Sequence, residues 1–128
     1  MKTIKQQVHI DAKPQEVYDA YVDSKKHAEF TGASATFENK VGGKFDVWDG
    51  DLNGENLELI PGEKIVQKWR SSDWPEGHFS KLTLEFKPDG GGTKIILTQV
   101  NVPDDKVDDI NQGWHDYYWK PMNKYFKK

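Results

Sequence analysis

The side chains best suited to acid–base or metal chemistry in this sequence are four histidines: His9, His27, His78 and His115. No two of them have the short spacing of a metal-binding pair, and the chain has no cysteine that could complete a zinc site. His115 is the best candidate for a functional histidine because Asp116 follows it. Its helical neighbours, however, place it on the flank of a helix. We therefore predict structural or surface roles for the histidines, and no metal site.

Three short segments resemble catalytic motifs but lack the context that each motif needs. Ser71-Ser72-Asp73 offers a hydroxyl and a carboxylate, but no Gly-x-Ser-x-Gly turn surrounds either serine. Gly90-Gly91-Gly92 precedes neither a Lys-Ser/Thr pair nor a helix, so it is not a phosphate loop. Asp108 and Asp109 would point about 100° apart on a helix, which suits dipole compensation better than acid–base catalysis. We predict no catalytic residue, no enzymatic activity and no cofactor.

The chain is rich in aromatic side chains, with five Trp, five Tyr and six Phe. This is more than a thin core between a sheet and a helix requires. Large rings either fill such a space or form the wall of a cavity, and the sequence leaves both alternatives open. The candidates for lining a ligand cavity are Trp69, Phe79, Trp114, Tyr117 and Tyr118.

Two further tryptophans stand in segments that suggest contact with a partner protein. Trp74 lies in a predicted loop beside Pro75 and Gly77, where no core is expected. An exposed loop tryptophan is a candidate anchor for a protein partner. Trp48 lies in the turn-rich segment 42–50. We therefore predict partner contacts at Trp74, Pro75 and Trp48.

Composition limits the class of protein. A length of 128 residues suits one domain, 1–128. The net charge of −3 argues against a dedicated nucleic-acid binder, which would carry a basic surplus. No apolar run reaches the ~18 residues that would indicate a membrane span, and we expect no signal peptide at the N-terminus. Together with the absence of cysteine, these features predict a cytoplasmic protein.

The hydrophobic period changes along the chain. Alternation of Ile4, Val8 and Ile10 predicts a first strand. Two short helices follow, the first with Pro14 in its first turn and the second over 25–30. From residue 33 to residue 102 the period is two, which predicts an antiparallel meander of some six strands, with turns that include Asp49-Gly50. In this meander we expect the inward-facing residues of successive strands to be Leu57 and Leu59, then Ile65, Gln67 and Trp69, then Leu82, Leu84 and Phe86, and finally Ile96, Val100 and Val102.

After Pro103 the period returns to 3.6, which predicts one long helix. Its apolar face consists of Val107, Ile110, Trp114, Tyr117 or Tyr118, Met122 and Tyr125. Aspartates crowd its first turns, and its last turns carry Lys120, Lys124, Lys127 and Lys128, an order that complements the helix dipole. Pro121 has no N–H for the carbonyl of Tyr117, so we expect a kink or loosening there. The whole pattern predicts an α+β fold in which a curved antiparallel sheet of about six to seven strands wraps the C-terminal helix.

Several motifs occur in an order and spacing that resemble one known family. They are Phe30-Thr31-Gly32-Ala33, Gly42-Gly43-Lys44-Phe45, Asp49-Gly50, the segments 65–70 and 74–80, Val102-Pro103, and the segment 113–119. With the opening segment 10–21, the arrangement resembles the helix-grip fold of the START-related and birch-pollen-allergen (SRPBCC) superfamily. The motif series resembles the C-terminal domain of the activator of heat-shock protein 90 ATPase and its stand-alone homologues.

This resemblance implies a non-enzymatic co-chaperone domain that binds a heat-shock protein 90-type chaperone and stimulates its ATPase. Two departures stand out. Nothing here matches the activator's separate N-terminal domain, which does most of the stimulation, and Pro121 interrupts the final helix. The fold resemblance also implies an alternative, a carrier or sensor that holds an apolar small molecule between sheet and helix. A third alternative, an enzyme on the same fold, has no acid, base or nucleophile with supporting geometry.

Overall fold

The computed structural model describes residues 2–48 and 50–126. The strands are β1 Lys2–Ile10, β2 Ala35–Phe37, β3 Lys44–Val47, β4 Leu52–Ile60, β5 Lys64–Ser71, β6 Ser80–Asp89 and β7 Gly92–Val102. The helices are α1 Pro14–Val22, α2 Ser24–Thr31, α3 Val107–Trp114 and α4 Lys120–Phe126. A short 3-10 turn, Asp104–Lys106, leads into α3, and a π-helical turn, His115–Trp119, joins α3 to α4. Asp49, Lys127 and Lys128, which the sequence places in a turn and at the end of the helix, lie outside the described residues.

The seven strands form one antiparallel sheet in the order β1-β7-β6-β5-β4-β3-β2. The segment from β2 to β7 is the predicted meander, and β1 adds to it beside β7. The C-terminal helical segment packs against the concave face of this curved sheet. The predicted α+β helix-grip fold is therefore confirmed. Within the described residues, we find no helix with the length and apolar character needed to cross a membrane.

The two short helices begin and end at residues suited to those positions. Pro14 occupies the first turn of α1, where its missing N–H costs no helical hydrogen bond. The carboxylate of Asp23 accepts from the N–H of Lys26 at 3.0 Å and so caps α2. Gly32 ends α2 with a φ of 73°, a left-handed conformation that favours glycine. These caps orient α1 and α2 so that Tyr21 and His27 are buried in the core.

The predicted inward face is confirmed for β5 and β6, where alternation is regular. Its buried apolar side chains are Ile65, Trp69, Leu82, Leu84 and Phe86. The β6–β7 hairpin turns at Gly90 and Gly91, whose φ angles of 57° and 89° match a two-residue turn with positive φ at both positions.

The face predicted for β4 is wrong because a β-bulge interrupts the strand. Asn56 is fully buried, whereas Leu57 is 39% exposed and only Leu59 packs against the core. The pairing of β4 with β5 shifts between Asn56 and Glu58, so Leu57 is the extra residue. Asn56 tolerates burial because its Nδ2 donates to the carbonyl of Glu38 at 2.9 Å.

The face predicted for β7 is also wrong. Both sets of alternating residues in this strand carry apolar side chains, so alternation alone could not choose between them. Val100 is 36% exposed and Ile96 is half-buried, while the buried set consists of Ile95, Leu97 and Gln99. Asn101 has a φ of 68°, and this irregularity changes the alternation so that Val102 is buried as predicted.

The C-terminal helical segment buries Trp114, Tyr118, Trp119 and Met122 against the sheet. Tyr117 is 61% exposed, so of the two tyrosines left open by the sequence it is Tyr118 that faces the core. Val107 and Ile110, at the start of the segment, are partly buried against the same core. The predicted apolar face of the helix is therefore confirmed.

The loosening predicted at Pro121 takes the form of the π-helical turn. The N–H of Lys120 donates to the carbonyl of His115, five residues earlier. Widening the turn by one residue aligns side chains that are five positions apart. The rings of Trp114 and Trp119 accordingly stack with centroids 5.4 Å apart and planes inclined by 14°.

Candidate functional site

An open groove of about 350 Å³ lies between the C-terminal helical segment and one end of the sheet. Its floor is formed by Trp69 of β5 and Trp114 of α3, whose ring centroids are 5.7 Å apart. Tyr118 lies against Trp114 at 4.8 Å. The volume is at the lower end of the range for small-molecule sites, so the groove suits a small ligand.

The outer wall of the groove comes from the segment between β3 and β4. Trp48 contacts Tyr117 and Tyr118 edge to face, with ring centroids 6.0 and 5.5 Å apart. Trp48 has a φ of 52°, which is uncommon for a bulky residue and shows that its surroundings hold the backbone in place. The sequence assigned Trp48 to partner contact, and the structure places its side chain in the wall of the groove.

Four of the predicted cavity residues meet in this groove: Trp69, Trp114, Tyr117 and Tyr118. Phe79 does not, because it precedes the inward-facing Ser80 and so points to the opposite side of the sheet. There the ammonium of Lys68 lies 4.5 Å above its ring. Placing Phe79 in a cavity between sheet and helix is therefore wrong.

The prediction that Trp74 is exposed is also wrong, since only 4% of its surface is accessible. Its loop folds back because the Trp74 N–H donates to the carbonyl of Ser71 at 3.1 Å, and Nη2 of Arg70 donates to the Trp74 carbonyl at 2.8 Å. The ring then packs edge to face on Trp69 at 5.5 Å. Pro75, the next residue, is exposed.

Burial leaves the indole N–H of Trp74 without a hydrogen-bond partner in the described part of the chain. Replacing Trp74 by Phe removes this desolvated donor, which offsets part of the lost packing. We expect a loss of unfolding free energy below about 1.5 kcal/mol. The matched variant is Trp119→Phe, because Trp119 Nε1 donates to Gln6 Oε1 at 2.8 Å. Its expected cost is about 2–3 kcal/mol. Denaturant unfolding measures both, and a larger loss for Trp74→Phe would contradict the expectation.

A surface formed by two loops lies beside the groove. The Ser72 N–H donates to the Asp51 carbonyl at 2.7 Å, and the Ser72 hydroxyl donates to the Asp51 carboxylate at 2.8 Å. These bonds join the two segments in which the sequence predicted partner contacts. We call Trp48, Asp51, Ser72, Pro75 and Glu76 the tip surface.

A buried hydrogen-bonded chain supports the groove from behind. His27 Nδ1 lies 2.8 Å from the carbonyl of Tyr21, so this nitrogen donates. Nε2 therefore accepts from the hydroxyl of Tyr118 at 2.9 Å. Burial lowers the pKa of His27 from 6.5 to about 4. This effect exceeds that of the hydrogen bond to the Tyr21 carbonyl, which raises the pKa. A neutral imidazole thus fixes the orientation of a ring that lines the groove.

Buried amides were not identified from the sequence, although one of them orients the groove residue Trp114. Gln99 Oε1 accepts from Trp114 Nε1 at 2.9 Å, and Gln99 Nε2 donates to Ser80 at 2.9 Å. Gln67, on the adjacent inward face, accepts from the Tyr21 hydroxyl at 3.2 Å. A sequence signal was available for Gln67, which alternates with Ile65 and Trp69, but not for Gln99, because alternation in β7 could not identify the inward face.

The other histidines lie outside the groove. His9 is exposed, with Nδ1 2.9 Å from Asp89 and Nε2 2.9 Å from Asp11. His78 packs on Trp74 and its Nε2 lies 2.8 Å from the carbonyl of Asn101. Over the described ranges 2–48 and 50–126, we find no group of three or more His, Cys, Asp or Glu residues arranged to hold a metal ion.

Comparison with known proteins identifies the family. A family model described as "Activator of Hsp90 ATPase homolog 1-like protein" matches residues 11–127. The chain belongs to this family. A structure described as an HSP90 activator from Plasmodium falciparum superposes with a TM-score of 0.91 at 26% identity, over 98% of this chain and 96% of that one.

Two relatives of this family carry the same description of activity. The human "Activator of 90 kDa heat shock protein ATPase homolog 1" is 37% identical over 113 residues, or 88% of this chain and 33% of the relative. The Dictyostelium discoideum homologue is 38% identical over 114 residues, or 88% of this chain and 30% of the relative. The chain therefore spans about a third of the length of these relatives.

Proposed function

We propose that this chain, taken as one domain over residues 1–128, is a non-enzymatic cytoplasmic co-chaperone that binds a heat-shock protein 90-type chaperone and stimulates its ATPase. The observation that carries the proposal is the family match over residues 11–127. It is supported by relatives at 37% and 38% identity whose names describe activation of the 90 kDa heat shock protein ATPase.

The mechanism we propose is a population shift in the chaperone. The domain binds the closed, ATP-hydrolysing state more tightly than the open state, and the difference in affinity sets how far the equilibrium moves. We place the contact on the tip surface because the two predicted partner-contact segments are joined there by the Ser72–Asp51 hydrogen bonds. In this arrangement Pro75 and Trp48 contact the chaperone, while buried Trp74 supports the loop.

A charge reversal on the tip surface tests this placement. Glu76→Lys is expected to weaken chaperone binding about tenfold and to reduce ATPase stimulation, because Glu76 is exposed in the Pro75 loop. The matched control is Glu63→Lys, the same charge change on the exposed turn between β4 and β5, at the opposite end of those strands. Titration calorimetry measures binding, and a coupled assay measures ATP turnover.

The outcomes separate the activity from its location. Unmodified chain that gives neither heat of binding nor a change in turnover would overturn the co-chaperone proposal. Equal effects of Glu76→Lys and Glu63→Lys would overturn the tip surface as the contact and leave the activity in place.

A second function is favoured by one specific observation, the groove of about 350 Å³ with aromatic walls. We propose that it holds an apolar or partly apolar small molecule between the sheet and the C-terminal helical segment. Burial of apolar ligand surface would contribute roughly 25 cal/mol per Å².

A further inference from the structure

The groove contains two carboxylates in an otherwise largely aromatic lining. Asp51 directly precedes β4, and Asp109 lies in the first turn of α3. Among the lining residues that the structure describes, these are the only charged side chains. Any ligand in the groove therefore meets negative charge from both of the elements that border it.

The carboxylate of Asp51 is exposed, but hydrogen bonds to Ser72 hold it in position. Its Oδ1 accepts from the Ser72 hydroxyl at 2.8 Å, and the backbones of the two residues are bonded as well. This leaves the second carboxylate oxygen for another partner. The ammonium of Lys106 also interacts electrostatically with Asp109, but its Nζ pairs directly with Asp73, 3.0 Å from Oδ2 of that carboxylate.

The aromatic rings add a second preference for positive charge. Trp48 meets Tyr117 and Tyr118 edge to face, with interplanar angles of 70° and 64°. Tyr117 is largely exposed and Trp48 is half-buried, so a ligand can reach these two rings, whereas Trp69 and Trp114 are almost fully buried beneath them. Faces of tryptophan and tyrosine attract cations, and tryptophan does so most strongly.

We propose that the groove binds a small organic cation, a quaternary or alkylated ammonium group, with its charge between Asp51 and Asp109 and its alkyl groups on the rings. This inference rests on the small-molecule function proposed above and specifies its ligand class. A neutral ligand of the same shape would cover the same rings but would gain no attraction to the two exposed carboxylates. The positive charge therefore decides the affinity.

The test compares two probes of nearly identical shape, choline and its neutral carbon isostere 3,3-dimethyl-1-butanol. Titration of the whole chain is followed by the indole N–H resonances and by tryptophan fluorescence. We expect choline to bind at least about tenfold more tightly than the alcohol at low ionic strength. Its affinity should fall as salt is added, whereas that of the alcohol should not.

Variants connect the preference to these residues. Asp109→Asn is expected to lower choline affinity about fivefold, and the matched control Asp108→Asn, an exposed neighbour outside the lining, should change it less than twofold. Tyr117→Ala, at a 61% exposed position, should lower choline affinity several-fold without unfolding the chain.

Each outcome decides between ligand classes. Equal affinity for choline and the alcohol would overturn the cation proposal while leaving a neutral small-molecule function intact. Binding of neither probe at millimolar concentration would overturn both proposals for the groove. Equal effects of Asp109→Asn and Asp108→Asn would show that choline binds elsewhere, which also overturns the assignment.

Discussion

Lowering the pH from about 7 to about 4 is expected to reduce the free energy of unfolding by about 3 kcal/mol through His27 alone. Burial lowers the pKa of His27 from 6.5 to about 4 in the folded chain. Between these values the unfolded chain binds the proton and the folded chain does not. The stability is therefore fully present above about pH 6.5 and is lost as the pH falls toward 4, with a slope of up to about 1.4 kcal/mol per pH unit.

The local geometry explains why protonation is unfavourable in the folded chain. His27 Nε2 accepts the Tyr118 hydroxyl hydrogen bond, and a proton on this nitrogen would remove that acceptor. The imidazolium charge would also be buried among aromatic rings, with Phe37 at 4.8 Å and Phe30 at 5.1 Å. Both phenylalanine side chains are uncharged, so neither compensates the positive charge.

Unfolding measured at several pH values on the unmodified chain and His27→Gln tests this expectation. The variant has no titrating group at this position, so its loss of stability between about pH 7 and pH 4 should be smaller by about 3 kcal/mol. Direct NMR titration should find His27 neutral at about pH 5.5. Equal pH dependence of the two proteins, or an imidazole that titrates near 6.5, would contradict the expectation.

His9→Gln provides a control of opposite sign. Hydrogen bonds to Asp89 and then Asp11 raise the pKa of His9 above 6.5. Its contribution to stability is therefore present at low pH and is lost as the pH rises through that raised pKa. The His9→Gln variant should therefore lose unfolding free energy at acidic pH. The His27→Gln variant should instead lose less unfolding free energy than the unmodified chain as the pH falls.

Trp114→Ala is expected to reduce the free energy of unfolding by about 4 kcal/mol. Trp114 is 2% exposed, and its ring contacts Trp69, Tyr118 and Trp119. The substitution would also leave Gln99 Oε1, which is fully buried, without its indole donor. Loss of packing and loss of a buried partner therefore act in the same direction.

Tyr117→Ala is the matched control for Trp114→Ala, because it removes an aromatic ring from the same helical segment. Tyr117 is 61% exposed, so the expected cost is below about 1 kcal/mol. Guanidinium unfolding of both variants measures the difference. Similar losses would contradict the division of this segment into a buried face, which includes Trp114, and an exposed face, which includes Tyr117.

The regular elements could be predicted because their sequence patterns depend on near neighbours. The alternation in β6 and the 3.6-residue period after Pro103 each repeat over several turns or pleats. Pro14, Gly32 and the Gly90-Gly91 turn mark boundaries through backbone conformations that are accessible from the local chain alone.

The errors in predicting the strands have a different origin. The bulge at Leu57 inserts one extra residue into β4 and so interrupts its alternation, and Ile95 and Ile96 give β7 apolar residues on both faces. In each strand the inward face carries a buried amide, Asn56 or Gln99, whose partners come from other segments. Local alternation contains no information about those partners.

The candidate site likewise contains some residues that local patterns could place and others that only distant contacts place. Trp69 and Trp114 could be assigned to a cavity because each lies on a predicted inward face. Trp74 could not be placed, because its burial depends on hydrogen bonds that fold its loop back onto β5. Asp51 and Asp109 are ordinary surface residues in the sequence, and only the packing of α3 beside the β3–β4 segment brings both into one groove.

By itself, the sequence determined the class of fold, the position of the helical segments and the family resemblance, since periodicity, caps and motif order are properties of the chain. The tertiary structure decided which strand faces are buried, which of Tyr117 and Tyr118 packs inward, and where the groove lies. The physical reason is that buried polar groups must find partners, and here those partners are distant: His27 meets Tyr118 and Gln6 meets Trp119. Such contacts exist only after the sheet has closed on its helix.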